Sequence, residues 1–389
     1  MRTYVAIIAL AISEALALSC SVHPQKMNPT DAVSSRIPVG DSPGWVVIAD
    51  LNSDAKMDIL VANAGGRSVT VLLGDGKGNF KQAAGSPFAA GDEPADIAVG
   101  EINNDGKVDL VIANHGTKYV TVLLGDGRGG FSVAPNSPFT VKSDPHPHGV
   151  ALADFNGDRK LDIVVDDWQN NNVTVLFSDG KDGFVSPGVS FAVGKMPYHK
   201  VRAADVNGDG KPDIITTNME GNNATVLLGD GHGGFKQSAG SPFATGDSPF
   251  HVAVGDLNRD GKPDLAIAKY SGHASDPSAD GVAVLVGDGR GGFQPMSGSP
   301  FPTTGRASGC VAIGDINGDG LPDVAVANGA SDNVTVLLGS NKGTLTPGAT
   351  FSVGRSPYAL AVGDLNGDGK ADIVTANNED NDVTVLLSK

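Results

Sequence analysis

The chain has 389 residues with 53 Gly, 23 Pro and 5% aromatic residues, a composition that predicts many short elements joined by tight turns rather than long helices. Its formal net charge of −16 argues against nucleic acid or an anionic membrane surface as a direct partner, because both require clustered Lys and Arg. The only cysteines are Cys20 and Cys310, which excludes a disulfide framework.

Residues 1–19 predict an export signal, because Arg2 is followed by an apolar run that is too short to span a bilayer. Three alternatives stay open: an ordinary signal peptide, a lipoprotein signal with a lipid on Cys20, or an apolar N-terminus that is merely unfolded, as Glu14 inside the run would allow. Residues 20–33 lack periodicity and predict a tether. We therefore expect the protein outside the cytoplasm, secreted, periplasmic or lipid-anchored at the cell surface, with a membrane contacted only through that lipid.

One acidic string of nine residues recurs seven times, at intervals of 49 to 59 residues. Each copy lies between β-rich runs, and each repeat reads as four short strands separated by Gly, Asn and Asp turns. Because a lone antiparallel meander cannot bury both faces, neighbouring repeats must pack on each other around a ring. The sequence thus predicts an all-β, monomeric, seven-bladed β-propeller over residues 34–389, with repeats at about 43–91, 92–143, 144–194, 195–246, 247–305, 306–354 and 355–389 plus 34–42.

The seventh repeat ends after its third strand, and the N-terminal segment resembles the missing fourth one. Ile37 to Gly40 mirrors the fourth-strand endings Phe191 to Gly194 and Phe351 to Gly354. We therefore predict that the N-terminal strand closes the last blade, which would leave no long unpaired inner edge.

The acidic string has the ligand spacing of a compact calcium loop, with an acid at position 1, Asn at 3, Asp at 5 and Asp at 9 in every copy. Position 1 is Glu101 in the second copy, and position 6, usually Gly, is Ala55 in the first and Arg159 in the third, so those three loops are expected to differ in geometry. The predicted metal ligands are Asp50, Asn52, Asp54, Asp58, Glu101, Asn103, Asp105, Asp109, Asp154, Asn156, Asp158, Asp162, Asp205, Asn207, Asp209, Asp213, Asp256, Asn258, Asp260, Asp264, Asp315, Asn317, Asp319, Asp323, Asp364, Asn366, Asp368 and Asp372.

These loops predict up to seven structural Ca²⁺ ions that hold the blade hairpins rigid. They contain nearly half of the 44 acidic residues, so seven divalent ions would cancel most of the net charge. The alternative is that Asn and Asp serve only as turn formers. An EF-hand is excluded because position 12 is a strand residue in every copy and never Glu.

With the acidic loop, the Leu-Leu-Gly-Asp-Gly turn at residues 72–76, 123–127 and 227–231, and the Gly-Gly-Phe that follows in several repeats, the chain resembles the FG-GAP and VCBS-repeat propellers. This family includes the integrin α-subunit head and many exported bacterial proteins. The resemblance covers about residues 34–389 and implies calcium in the loop between the first and second strands of a blade. It leaves the ligand open, because members serve in adhesion, in sugar binding and as appendages of enzymes.

The least repetitive positions fall on the face formed by the links between blades and by the turns between second and third strands. Aromatic rings beside Asp, Lys and His would suit a glycan or an extracellular protein ligand, and the alternative is that they only plug the channel mouth. No catalytic residue is predicted, although a carbohydrate-active enzyme, a lyase or hydrolase using Asp166 and Asp167 on this face, stays as a second interpretation. The predicted ligand-binding face comprises Trp45, Asp96, His115, His148, Asp167, Trp168, Tyr198, His199, Lys200, Phe250, His251, Tyr270 and Tyr358.

Overall fold

The structure is a computed structural model that describes residues 32–141, 146–180, 183–270 and 280–389. The predicted export signal, Cys20 and most of the predicted tether lie outside these residues, and so does most of the insertion that lengthens the fifth repeat. Within the described ranges all regular secondary structure is β-strand. None of these ranges contains a helix long and apolar enough to cross a membrane.

The first four repeats and the N-terminus contribute the following strands: β1 (Val33–Pro38), β2 (Pro43–Ala49), β3 (Asp58–Asn63), β4 (Ser68–Gly74), β5 (Phe80–Gln82), β6 (Phe88–Ala89), β7 (Pro94–Gly100), β8 (Asp109–Asn114), β9 (Tyr119–Gly125), β10 (Phe131–Val133), β11 (Phe139–Thr140), β12 (Val150–Ala153), β13 (Asp162–Asp167), β14 (Asn172–Leu176), β15 (Val189–Ala192), β16 (Pro197–Ala204), β17 (Asp213–Asn218), β18 (Asn223–Gly229), β19 (Phe235–Gln237) and β20 (Phe243–Ala244). The last three repeats contribute β21 (Pro249–Gly255), β22 (Asp264–Lys269), β23 (Gly281–Gly287), β24 (Phe293–Pro295), β25 (Ser308–Gly314), β26 (Asp323–Asn328), β27 (Asn333–Gly339), β28 (Leu345–Ser352), β29 (Pro357–Gly363), β30 (Asp372–Asn377) and β31 (Asp382–Leu387).

These strands form seven small antiparallel sheets, one for each predicted repeat. The inner-to-outer orders are β2-β3-β4-β5, β7-β8-β9-β10, β12-β13-β14-β15, β16-β17-β18-β19, β21-β22-β23-β24, β25-β26-β27-β28 and β29-β30-β31-β1, with β6, β11 and β20 adding short outer segments to blades 1, 2 and 4. The inner strands contact one another in sequence around the ring, and β29 contacts β2. The predicted seven-bladed propeller is therefore confirmed.

The ring closes through β1, which lies antiparallel to β31 from the pair Val33 and Leu387 to the pair Pro38 and Asp382. The Arg36 guanidinium on β1 bridges the carboxylates of Asp380 and Asp382. The prediction that the N-terminal strand completes the last blade is confirmed.

Blades pack through their buried second and third strands and through aromatic contacts near the rim. The second strands β3, β8, β13, β17, β22, β26 and β30 are buried at every residue, as their nearly continuous apolar sequences require. Phe88 meets Phe131 of the next blade edge-on at 5.8 Å between ring centroids, and Phe243 meets Phe293 in the same way at 5.4 Å. This packing fixes two faces of the ring: the acidic loops lie on one, and the interblade links and the turns between second and third strands lie on the other.

Candidate functional site

The seven acidic loops each join a first strand to a second strand, and the loop of blade 4 illustrates their geometry. The Asp205 carboxylate at position 1 accepts hydrogen bonds from the backbone N–H groups of Asn207 at 3.2 Å, Gly208 at 2.7 Å, Asp209 at 3.3 Å and Gly210 at 2.7 Å. The Asn207 side-chain oxygen in turn accepts the N–H of Asp209 at 2.9 Å. The loop is thus wound around its first carboxylate.

Position 9 is fully buried and ties the loop to the third strand of its blade. In blade 4, Asp213 accepts the N–H of Val206 and the N–H of Gly229, both at 2.9 Å. A β-carbon on Gly229 would lie 2.3 Å from the carbonyl oxygen of Pro212, which explains the glycine that opens the repeated Gly-Asp-Gly turn. The same pair of bonds is made in every blade, by Asp58, Asp109, Asp162, Asp213, Asp264, Asp323 and Asp372.

The carboxylate at position 9 has a raised pKa, and its own loop contributes to the shift. Burial raises the pKa of Asp213 to about 6, and the negative charges of Asp209 and Asp205 act in the same direction. Burial and the neighbouring loop carboxylates likewise raise the pKa of Asp323 to about 7. The position-9 carboxylate is therefore repelled by the other acids of its loop, and a bound cation would relieve that repulsion.

The loops fit a hard cation by ligand chemistry, although their side chains do not converge fully. In the part of the chain that the structure describes, no three His, Cys, Asp or Glu side chains lie close enough together to hold a metal ion as they stand. Each position-9 carboxylate nevertheless retains acceptor capacity, because an ionised carboxylate has about four lone-pair sites and accepts two hydrogen bonds here, or three at Asp264 and Asp323. Carboxylate, amide and carbonyl oxygens are the ligands that Ca²⁺ prefers. Binding of Ca²⁺ would require the carboxylates at positions 1, 5 and 9 to move closer together.

Two of the three loops with unusual residues keep the shared geometry. Ala55 and Arg159 take the left-handed backbone conformation that Gly adopts elsewhere, with φ of 62° and 66°. Their N–H groups still donate to Asp50 at 2.9 Å and Asp154 at 2.7 Å. In the second loop Glu101 accepts the N–H of Asp105 at 3.0 Å. The departures therefore add backbone strain at two positions without opening the loops.

On the opposite face, half-buried and buried aromatic rings form a continuous belt around the channel mouth, from blade 2 to blade 7. We call the rings of His115, His148, Tyr198, Phe250, Tyr270 and Tyr358 the aromatic belt. The distance between ring centroids is 4.3 Å from His115 to His148, 4.2 Å from His148 to Tyr198 and 5.8 Å from Tyr198 to Phe250. From Phe250 it is 4.7 Å to Tyr270 and 6.2 Å to Tyr358.

Trp168 and His146 extend the belt and bring unpaired polar atoms to it. The Trp168 ring centroid lies 5.0 Å from that of His146 and 5.6 Å from that of Tyr198. Trp168 Nε1 and His146 Nδ1 are buried and have no hydrogen-bond partner among the described residues. Because a buried polar atom without a partner is costly, a ligand that reached these two atoms would gain from bonding them.

A pocket of about 520 Å³ opens beside the belt. His115 Nδ1 lies 2.8 Å from the Glu93 carboxylate, and Arg67 pairs with Asp92 at 2.8 Å on the same rim. Rings and hydrogen-bonding groups thus share one concave surface. The lining residues are Gly44, Ala64, Gly65, Arg67, Glu93, Pro94, Ala95, His115, His148, Tyr198, Ser356, Tyr358 and Asn378.

Below the mouth, a buried ion pair and a tryptophan plug the channel. Lys200 forms an ion pair with Asp96, and the Lys200 ammonium nitrogen lies 3.4 Å from the ring centroid of Trp45. The Trp45 ring is also 5.3 Å from that of His251. Burial lowers the pKa of Lys200 to about 7, and the charge of Asp96 opposes that shift. We refer to Trp45, Asp96, Lys200 and His251 as the channel plug.

The two adjacent aspartates of blade 3 have separate roles. Asp167 is buried and accepts hydrogen bonds from the Asn170 side chain, so it holds the turn to the next strand. Asp166 accepts the N–H groups of His148 at 2.8 Å and Gly149 at 2.9 Å, and its second oxygen is buried without a partner. Burial raises the pKa of Asp166 to about 7.

The predicted face is therefore divided between two levels. His115, His148, Trp168, Tyr198, Phe250, Tyr270 and Tyr358 meet at the mouth, whereas Trp45, Asp96, Lys200 and His251 form the plug beneath it and Asp167 stays within its blade. The side chain of His199 lies outside the described part of the structure. Sequence reasoning missed Glu93, Arg67 and Arg202. Arg202 was detectable, because the aligned inner-strand positions of the other repeats hold only Ala or Val.

Comparisons with known proteins agree with this architecture. The profile of the FG-GAP-like repeat matches residues 50–112, 101–165, 205–267, 271–326 and 315–375. Among curated proteins, cartilage acidic protein 1 of Xenopus tropicalis is 32% identical over an alignment of 134 residues, and the match covers 32% of this chain and 19% of that protein. The match thus spans about a fifth of the relative's length.

Similar solved structures share the fold at low sequence identity. A lectin of Agrocybe aegerita that recognises non-reducing terminal N-acetylglucosamine is 20% identical, with a TM-score of 0.51 over 89% of this chain and 86% of the lectin. The periplasmic gluconolactonase of Pseudomonas aeruginosa is 18% identical, with a TM-score of 0.58 over 81% of this chain and 86% of the gluconolactonase. At these identities the likeness concerns the fold alone.

Proposed function

The chain belongs to the FG-GAP-like repeat family, and from that premise we propose that it is an exported, calcium-binding propeller that binds a glycan through its channel mouth. The observation that carries this proposal is the aromatic belt beside the mouth pocket. Loops on a rigid ring are where propellers can vary without loss of fold, and here the variable positions converge on that one surface.

A glycan suits this surface better than a flat apolar partner. Sugar rings present apolar faces that stack on aromatic rings and hydroxyl groups that need hydrogen-bond partners. The mouth supplies both, because Tyr198 and Tyr358 line the pocket together with Glu93, Arg67 and Asn378. The Agrocybe aegerita lectin offers a precedent for glycan recognition on this fold, although at 20% identity it identifies no site here.

In this proposal the calcium ions are structural. The acidic loops lie on the face opposite the mouth, so their ions would stiffen the blades and would not contact the ligand. Extracellular calcium modules bind at about 10⁻⁴ to 10⁻³ M, which suits a protein that works outside the cytoplasm. The apolar run that follows Arg2 supports the same location.

One observation favours a second candidate, a carbohydrate-active enzyme. Asp166 lies directly beneath the mouth, with a buried oxygen that has no partner and a pKa raised to about 7 by burial. A carboxyl group of this kind can exchange a proton at neutral pH, as a lyase or hydrolase requires.

A glycan panel read for both retention and turnover, in the presence of calcium, distinguishes the two candidates. We expect retention of glycans with exposed terminal sugars and no turnover. Trp168→Ala should weaken retention at least tenfold, because it removes a stacking surface and the indole N–H. Phe80→Ala, which removes a half-buried ring from an outer strand away from the mouth, is the matched control and should leave retention unchanged.

The other outcomes are equally informative. Turnover that disappears in Asp166→Asn would establish the enzyme in place of the binding module. Retention that is unchanged in Trp168→Ala, or absent for every glycan, would refute the proposed mouth site and favour a protein ligand.

A further inference from the structure

Beneath the channel plug, the channel widens into a second cavity of about 520 Å³. Continuing the strand register places Trp45, Asp96, Gly149, Lys200, His251, Cys310 and Ala359 at one level of the seven inner strands. Two residues further along each strand, side chains point to the same side of the sheet. That next level comprises Val47, Ala98, Ala151, Arg202, Ala253, Ala312 and Ala361.

Arg202 is thus a single long cationic side chain on a level otherwise built from Ala and Val. The six small residues leave the space that the cavity occupies. Aliphatic side chains make up much of its lining and include Ile48, Val254, Ile313 and Val362. An arginine in such surroundings is costly unless something pairs with it.

The protein does not supply that partner within the described residues. Arg202 Nη2 donates to His251 Nε2 at 3.0 Å, and no carboxylate of the described chain lies within ion-pair distance of the guanidinium. Asp96 is committed to Lys200 and also accepts the N–H groups of Ile97 and Val150. Most of the five N–H donors of the guanidinium therefore remain available.

The charged side chains near the cavity also favour an anionic ligand. Burial lowers the pKa of the Lys200 ammonium, the charge of Asp96 opposes that shift, and the charge of Arg202 adds to it. Burial lowers the pKa of Arg202 as well. Asp166 lies opposite Gly149 at the level of the plug, where it accepts the N–H groups of His148 and Gly149 and interacts with the charge of Lys200. Among the described residues that line the cavity, the charged side chains are Lys200 and Arg202, and both are cationic.

We propose that this cavity binds a small organic carboxylate, with the carboxylate on the Arg202 guanidinium and the apolar body of the ligand against the aliphatic channel wall. Arginine presents a planar fork that matches a carboxylate with two parallel hydrogen bonds. The aliphatic wall would bury the remainder of the ligand, which a bare phosphate or sulfate could not exploit. The volume is in the range of ordinary small-molecule sites, about 300–1,000 Å³.

The test uses the full-length protein in calcium, with benzoate as probe and benzamide as its neutral, nearly isosteric control. In a Trp168→Phe background Trp45 is the sole tryptophan, and because it lines the cavity its fluorescence reports binding there. We expect benzoate to change that fluorescence saturably, with a Kd at least tenfold lower than that of benzamide. Calorimetry on the unmodified protein should give the same ratio.

The matched variants are Arg202→Met, which should weaken benzoate at least tenfold, and Arg128→Met, which removes an exposed arginine and should change nothing. Equal binding of benzoate and benzamide, no binding of benzoate, unchanged binding in Arg202→Met, or tighter binding of inorganic phosphate than of benzoate would each overturn the proposal. The comparison of benzoate with benzamide decides the question even if Arg202→Met does not fold. Glycan retention by the mouth is measured separately, so the two sites can fail independently.

Discussion

The Asp96 carboxylate holds three partners in the middle of the channel. It accepts the N–H groups of Ile97 and of Val150 in the next blade, both at 2.9 Å, and it pairs with the Lys200 ammonium. The Trp45 ring covers that ammonium from the other side. A cation held over a ring and away from water gains up to about 2 kcal/mol, so the three side chains act as one unit.

We expect Asp96→Asn to lower the free energy of unfolding by about 3–5 kcal/mol, measured by urea denaturation in calcium. The amide keeps the acceptor oxygen and nearly the same shape, but it leaves the Lys200 charge buried without a counter-charge.

The double variant Asp96→Asn with Lys200→Met is the control for this prediction, because it removes the stranded charge as well. It should recover a substantial part of the loss. A single variant that costs less than about 1 kcal/mol would contradict the buried ion pair.

Individual side chains are also where reasoning from sequence reached its limit. The repeat register identified Trp45 as an irregular position but could not place it at the right depth. A register shift between Pro43 and Trp45 turns the strand where it enters the channel, and the ring ends inside the plug. The first strands of blades 2, 4, 5, 6 and 7 have a shift at the corresponding place. The shift is thus common to the repeats, but the contacts of Trp45 with Lys200 and His251 join different blades and cannot be predicted from one repeat.

At the scale of elements, β1 joins the two ends of the described chain. Its residues are mostly exposed, so its contribution comes from the ladder with β31 and from Arg36 more than from apolar burial. Sequence similarity identified this strand from Ile37 to Gly40. In the structure β1 pairs with β31 from Val33 to Pro38. The sequence did not indicate residues 33–36 because they show no alternation of apolar and polar residues, and the length of this edge strand is set by its partner.

Deletion of Val33–Pro38 should lower the melting temperature by several degrees, measured by circular dichroism in calcium. The last blade would lose its outer strand and expose the edge of β31.

Arg36→Ala is the matched control for the deletion, since it removes only a half-exposed ion pair. Its cost should stay below about 1 kcal/mol, because exposed pairs contribute little. A deletion that melts like the intact protein would show that closure depends on the inner strands alone.

At the scale of the whole molecule, seven acidic loops act in parallel. Sequence spacing alone predicted the number of blades, the ring and the side on which the loops lie, since each follows from one repeated pattern. It could not predict how the loops hold together without an ion, because that depends on the buried bonds of position 9 to the third strand.

Calcium should raise the melting temperature of chelator-treated protein. When the free calcium concentration is ten times the Kd of a loop, binding to that loop adds about 1.4 kcal/mol to the free energy of unfolding. Several occupied loops would therefore have a large combined effect. Asp205→Asn should make the calcium-induced increase in melting temperature smaller by the contribution of one of the seven loops.

Asp247→Asn, which removes an exposed acid outside the loops, should leave the calcium response unchanged and controls for net charge. An increase that is equally produced by raising ionic strength with sodium chloride, or no increase at all, would refute specific calcium binding.

The pairing of β1 with β31 also bears on how the protein is made. The strand that closes the ring is synthesised first, and its partner emerges from the ribosome more than three hundred residues later. Until then the early strand must wait unpaired, and every shorter nascent chain has an open ring. Synthesis of β31 is therefore the event that permits ring closure, and a chain terminated before β31 would display an unfinished sheet edge that quality-control proteases can recognise.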